Sequence, residues 1–208
     1  MIARTSNELA PDDGSASERR RKFFQAAEPL LVRYGYRKTT VEEICRAAGA
    51  SKRTFYELFK DKADLVARLT MHAADEIVDR WRATSSPDKA AARQLDDFIE
   101  AYFDLARQRQ IFRMVLSDQD ILLAFGSLSE EWKVWPTFLV LREILKLGIQ
   151  RGEFRPVNPE IETEMIYTFL DTTSFLVPRI TGQPGPLEEP ALAAEVKAFI
   201  LNGLRNPS

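Results

Sequence analysis

Residues 39–65 read TTVEEICRAAGASKRTFYELFKDKADL, and this stretch decides the fold. Thr40 and Glu43 have capping-box spacing, in which a hydroxyl and a carboxylate each satisfy the other's free backbone amide. They predict a short helix through Ala48 with Val41, Ile44, Cys45 and Ala48 facing inward. Gly49 breaks it. Ser51 then caps a second short helix, from Lys52 to about Phe59, whose apolar face is Phe55, Leu58 and Phe59. Two short amphipathic helices meeting across Ala48-Gly49-Ala50 form the helix-turn-helix pattern.

Working outward, Ser15 and Glu18 have capping-box spacing ahead of a first helix bearing Phe23, Ala27, Leu30, Leu31 and Tyr34 on one face, closed by Gly35 in a left-handed cap. Pro29 lies inside this helix and predicts a kink, because its ring clashes with the carbonyl of Gln25. Asp61 caps a long fourth helix running to about Thr84. Beyond it, helical periodicity predicts segments at about 88–107, 111–116, a segment broken near Gly126 and bent at Pro136 that ends near Arg151, then 160–180 and 191–204. The expected class is all-α. A three-helix domain carrying the helix-turn-helix over residues 17–62 follows a disordered tail (1–16), and a larger helical domain spans 63–208.

The chain of 208 residues has a net charge of only −2, but the charge is unevenly placed. Residues 17–62 hold 12 Lys/Arg against 6 Asp/Glu, whereas residues 63–208 hold 16 against 22. A basic segment beside an acidic body suits a protein of which one part meets phosphate. The single cysteine, Cys45, forbids an internal disulfide and reads as a small core residue. With one histidine, His72, a Cys/His zinc site lacks ligands, and no cofactor is expected. Gly-rich phosphate loops and Gly-x-Ser-x-Gly elbows are absent from the sequence, which argues against an enzyme. No signal peptide is evident, and no window approaches the ~18–20 apolar residues of a membrane span, so no membrane partner and a cytoplasmic location are expected.

The second helix of such a pair enters the major groove by its N-terminal residues, here Lys52, Arg53 and Thr54. Arg53 can donate two parallel bonds to guanine, and Lys52 can reach a base or a phosphate. Tyr56 lies outward with a hydroxyl suited to phosphate. Each also has a plainer reading: Thr40 and Ser51 as caps only, Lys52 and Arg53 as a solvated face, Tyr56 as core.

The stretch 39–65, with Ala26, Ala27 and Gly35 before it, closely resembles the N-terminal domain of the TetR/AcrR family of bacterial transcriptional regulators, most specifically at Gly49, Ser51, Thr54, Tyr56, Phe59, Lys62 and Leu65. The resemblance covers about residues 17–65. It implies phosphate contacts by Thr39 or Thr40, Ser51, Thr54, Tyr56 and Lys62, and base contacts by Lys52 and Arg53. Position 53 is often small in that family, so Arg53 is expected to alter the preferred operator.

The resemblance further implies a homodimer that binds a palindromic operator on double-stranded DNA and is released by a small, mostly apolar effector of unknown identity. Stripes at Ile161, Met165, Phe169, Thr172, Leu176 and Ile180, and at Leu192, Val196, Phe199 and Ile200, are candidates for a four-helix interface across a two-fold axis; packing within one subunit is the alternative. Phe98, Tyr102, Phe112, Trp132, Trp135, Phe138 and Tyr167 are candidate pocket residues, with ordinary core packing as the alternative for each.

Overall fold

The computed structural model describes residues 14–115, 119–127 and 135–206. These residues are almost wholly helical: α1 (Gly14–Tyr34), α2 (Val41–Ala48), α3 (Lys52–Leu58), α4 (Lys62–Thr84), α5 (Ala91–Gln108), α6 (Gln110–Val115), α7 (Gln119–Ser127), α8 (Pro136–Gln150), α9 (Pro159–Asp171), a π-helical turn (Thr172–Leu176), α10 (Val177–Thr181) and α11 (Pro190–Leu204). The described residues hold no strand, only one antiparallel bridge between Phe154 and Arg205. None of their helices is long and apolar enough to cross a membrane. The chain divides into two compact units, Met1–Leu69 and Thr70–Ser208, and α4 runs through the division.

The first unit is built on four rings. Phe23 meets Phe55 and Phe59 edge-on at centroid distances of 5.6 and 5.7 Å, Phe55 meets Phe59 at 5.3 Å, and Phe24 leans on Phe59 at 5.9 Å. Such pairs contribute about 0.5–1.5 kcal/mol each beyond the area they bury. Ala27, Leu31, Ile44, Cys45 and Leu65 complete the core. Gly35 adopts φ 80° and Gly49 φ 62°, so both turns occupy the left-handed region that a side chain resists. Asp61 accepts from the Asp64 amide at 2.8 Å and starts α4 as the sequence predicts.

Two local expectations change. The helix α1 begins at Gly14, so residues 14–16 belong to it rather than to a tail, and it continues unbroken through the exposed Pro29. Pro136 does not bend a helix but begins one: it sits in the first turn of α8, where a missing N–H leaves no intrahelical bond unmade.

In the second unit α5 is the central element. Ala91, Leu95, Phe98, Ile99, Tyr102, Phe103, Leu105 and Ala106 are buried on it, and α6, α8 and α11 pack around it. Gly148 on α8 lies so close to Phe154 that an added Cβ would fall 2.0 Å from the ring. The carbonyl of Gly148 also accepts from the amides of Glu153 and Phe154, which closes α8 and folds the chain back toward α9.

Candidate functional site

The loop between α2 and α3 is held by local chemistry at every step. The Thr40 amide and hydroxyl both donate to Glu43 Oε2 at 2.8 Å, and the Glu43 amide donates back to Thr40 Oγ1 at 3.2 Å. The bond from the Thr40 backbone amide is the main reason the Glu43 carboxyl is held below the usual carboxylate range. Ser51 Oγ accepts from the Thr54 amide at 3.1 Å and lies 3.0 Å from Thr54 Oγ1. Phe55 and Phe59 anchor one face of α3 in the core, which leaves Lys52, Arg53 and Tyr56 on the other. Tyr56 is 59% exposed, its ring edge-on to Phe55 at 5.2 Å. The plain core reading of Tyr56 therefore fails.

The two cations at the tip of α3 already have partners. Lys52 Nζ donates to Glu42 Oε2 at 3.0 Å across the turn, and Arg53 Nε donates to Glu57 Oε1 at 3.1 Å along α3. The hydrogen bond with Lys52 lowers the Glu42 carboxyl and raises the Lys52 ammonium, so both stay charged. Glu42 also pairs with Arg46 at 3.6 Å. Thr40, Val41, Glu42, Glu43, Arg46, Lys52 and Tyr56 together line a shallow surface depression. Glu42, Arg46 and Glu57 were not anticipated from the sequence. The i,i+4 spacing of Glu42 with Arg46 and of Arg53 with Glu57 was the available signal.

Two expected phosphate contacts are placed differently. Thr39 is 1% exposed, and its hydroxyl donates to the carbonyls of Gly35 (2.9 Å) and Leu30 (3.3 Å). It fastens the turn after α1 and presents no hydroxyl to a ligand, so of Thr39 and Thr40 only Thr40 lies at the surface. Lys62 Nζ donates to the carbonyls of Tyr36 (2.6 Å) and Thr39 (2.7 Å) and stands 4.1 Å from the centre of the Tyr36 ring. The half-buried ammonium thus ties the start of α4 to the loop before α2. Cys45 is buried, and burial pushes its thiol upward, consistent with a core residue.

Within the second unit the structure draws four of the seven candidate pocket aromatics into one layer. Phe98 meets Tyr167 edge-on at 6.2 Å, Tyr167 stacks on Phe138 at 4.3 Å, and Phe138 stacks on Trp135 at 6.4 Å. Tyr102 joins them from α5 through Asp171: its hydroxyl donates to Asp171 Oδ1 at 2.6 Å. Phe112 is half-buried on α6 against the same core, and Trp132 lies outside the described residues.

This apolar layer contains polar groups that sequence reading passed over. Tyr167 Oη, Thr137 Oγ1 and Ser174 Oγ are buried without a well-formed hydrogen bond among the described residues, Tyr167 beside Thr137 and Ser174 beside Tyr102. Trp135 Nε1 donates to Asp75 Oδ1 at 3.0 Å, and His72 Nδ1 lies 3.7 Å from Asp75 Oδ2, a contact that raises the imidazole. Asp171 shares a helix face with the buried Tyr167, Leu170 and Ser174. Burial pushes its carboxyl up to about 6, against a smaller lowering by Tyr102. The Asp171 side chain is nonetheless exposed at the edge of the layer. A carboxylate amid Tyr167, Leu170 and Ser174 was the readable signal for this cluster.

The candidate interface residues divide. Met165, Leu176 and Phe199 are exposed, as are Ile161, Val177, Ile180 and Leu192 beside them; Phe199 is 67% exposed and its ring lies 5.1 Å from that of Phe169. Phe169, Thr172 and Val196 are half-buried at the edge of this face. Ile200 departs from expectation: it is 6% exposed and belongs to the internal core.

Residues 23–69 match the family model described as bacterial regulatory proteins, tetR family. The chain is 24% identical over 205 residues to the HTH-type transcriptional repressor KstR2 of Mycolicibacterium smegmatis, an alignment covering 94% of this chain and 96% of that one. Its fold is similar to that of the transcriptional regulator FadR from Bacillus subtilis, solved in complex with stearoyl-CoA: TM-score 0.62, 20% identity, covering 89% of this chain and 99% of the other. A TetR-family transcriptional regulator from Pectobacterium atrosepticum superimposes with a TM-score of 0.67 at 21% identity, covering 94% and 99%.

Proposed function

Because this chain belongs to the TetR family of bacterial regulatory proteins, we propose that it is a homodimeric repressor that leaves a palindromic operator when a small, mostly apolar effector enters its second unit. In this reading residues 17–62 meet DNA and residues 63–208 dimerise and hold the effector. The observation that carries it is the tip of α3: Ser51, Lys52, Arg53 and Tyr56 stand exposed beside a helix N-terminus whose free amides favour phosphate. Thr54, half-buried, and Thr40 flank them. Tyr56, Ser51 and Thr40 position the duplex through phosphate, while Lys52 and Arg53 reach base edges. Lys62 contributes its positive charge.

The exposed apolar face of α9, α10 and α11 suits a self-complementary interface, since a monomer would leave Met165, Ile180 and Phe199 in water. The two-fold symmetry of such a dimer matches the inverted half-sites of a palindrome. An aromatic layer with a few polar groups suits a mostly apolar effector, in keeping with the acyl chain bound by the Bacillus relative.

The reading is tested by gel shift with genomic fragments from around the gene. A specific complex at about 100 mM salt is expected, and its absence would refute the proposal. Arg53→Ala should cost about 1–3 kcal/mol of specific binding and relax preference at one base position per half-site in a randomised-operator selection; an unchanged preference removes Arg53 from the base contacts.

A further inference from the structure

The polar groups inside the aromatic layer of the second unit have a direction. Asp171 can only accept hydrogen bonds when ionised, and one of its oxygens is filled by the Tyr102 hydroxyl at 2.6 Å. Among the described residues no cation pairs with it: Tyr102 is its one hydrogen-bonding partner. The other carboxylate that borders the layer, Asp75, is turned to Trp135 and His72, and the nearby Arg109 is paired with Glu76. Ser174, on the π-helical turn beside Tyr102, and Tyr167 and Thr137, beside one another, offer three buried hydroxyls without a well-formed hydrogen bond among the described residues. A buried polar atom left unpaired costs about 1–3 kcal/mol, and π-helical turns within helices gather at functional positions.

An unsubstituted alkyl chain would satisfy none of these atoms. A ligand carboxylate or phosphate would set a second anion against Asp171 beside an apolar layer. A hydroxyl or an amine does neither, because it donates to the free Asp171 oxygen while the neighbouring hydroxyls turn to accept or donate as required.

We propose that Asp171, oriented by Tyr102 and assisted by Ser174, recognises a hydrogen-bond-donating group, hydroxyl or amine, on an otherwise apolar effector and disfavours effectors that place an acid there. This rests on the effector reading above and sharpens it: the inner end of the ligand is a donor, not an anion.

Tryptophan fluorescence of the full-length protein at pH 7.5, without DNA, tests it with three probes sharing one ten-carbon chain: 1-decanol, decylamine and decanoate. Decanol or decylamine should bind at least about tenfold more tightly than decanoate, the scale of one unpaired buried group. Asp171→Asn removes the charge and supplies a donor, and should bring the preference within about twofold. Ser174→Ala should weaken the donor probes several-fold and leave decanoate unchanged. Equal or tighter binding of decanoate to the native protein, no saturable binding of any probe, or a preference that survives Asp171→Asn would overturn the proposal. The operator gel shift without probe reports separately on the repressor reading, so a protein that binds DNA yet ignores probe charge sinks this inference alone.

Discussion

The two units treat their polar atoms in opposite ways. Around α2 and α3 the side-chain donors and acceptors are met locally: Thr40 by Glu43, Ser51 by Thr54, Thr39 by Gly35, Lys52 by Glu42, Arg53 by Glu57. In the layer between α5, α8 and α9, Tyr167, Thr137 and Ser174 stay unmet although water is excluded from them. Satisfied caps fix a rigid shape and suit a part that must fit DNA of constant geometry. Unmet hydroxyls raise the free energy of the empty state, and a ligand that pairs them recovers it.

The sharpest way to break the contrast is to remove the ring that organises the first unit. Phe55→Ala should cost that unit about 3–5 kcal/mol, abolish operator binding in gel shifts and leave probe binding by the second unit intact. Loss of both activities would show that the units do not fold independently. Gly148→Ala attacks the second unit by overpacking against Phe154; a loss of about 1–3 kcal/mol is expected in chemical denaturation, with weakened probe binding.

Asp171→Asn gives a smaller effect with a diagnostic sign. A carboxyl raised to about 6 in the folded protein holds its proton there but not in the unfolded chain between roughly pH 4 and 6, so native stability falls as pH rises through that window. The variant should therefore melt higher than the native protein at pH 7.5, with the gain vanishing by pH 4. A gain independent of pH would assign the effect to packing rather than charge. Smallest of all is Glu42→Gln, which releases Lys52 and Arg46: affinity for unrelated DNA should rise a few-fold, and the log-affinity against log-salt slope should steepen by up to about one.

The same contrast explains what the sequence alone makes legible. Caps and tight turns are short-range, so Thr40 with Glu43, Gly35, Gly49, Ser51 and Asp61 announce α2, α3 and the start of α4 from their spacing alone. Lys62 announces a cation but not its destination, because the carbonyls of Tyr36 and Thr39 reach it only after the chain folds back. Thr39 misled for the same reason. In the second unit periodicity located the helices and placed Tyr102 and Tyr167 inside. It could not show that Asp171, 69 residues from Tyr102, would meet its hydroxyl, nor that the long helix predicted over 160–180 would widen at Thr172–Leu176. Ile200 was misassigned because helix α11 is apolar on several sides, and spacing alone does not choose between them.

The widened turn at Thr172–Leu176 has one more consequence. A π turn holds one residue more than an α turn, so reverting it to α geometry would advance everything downstream by about 100° around the helix axis. Ser174, which faces the aromatic layer, and Leu176, Val177 and Ile180, which face solvent, are strung along that one stretch of backbone. Their phases are consequently locked together. A molecule that grips the serine hydroxyl would also bias which way the outward stripe points, and with it the angle at which a second copy could be met.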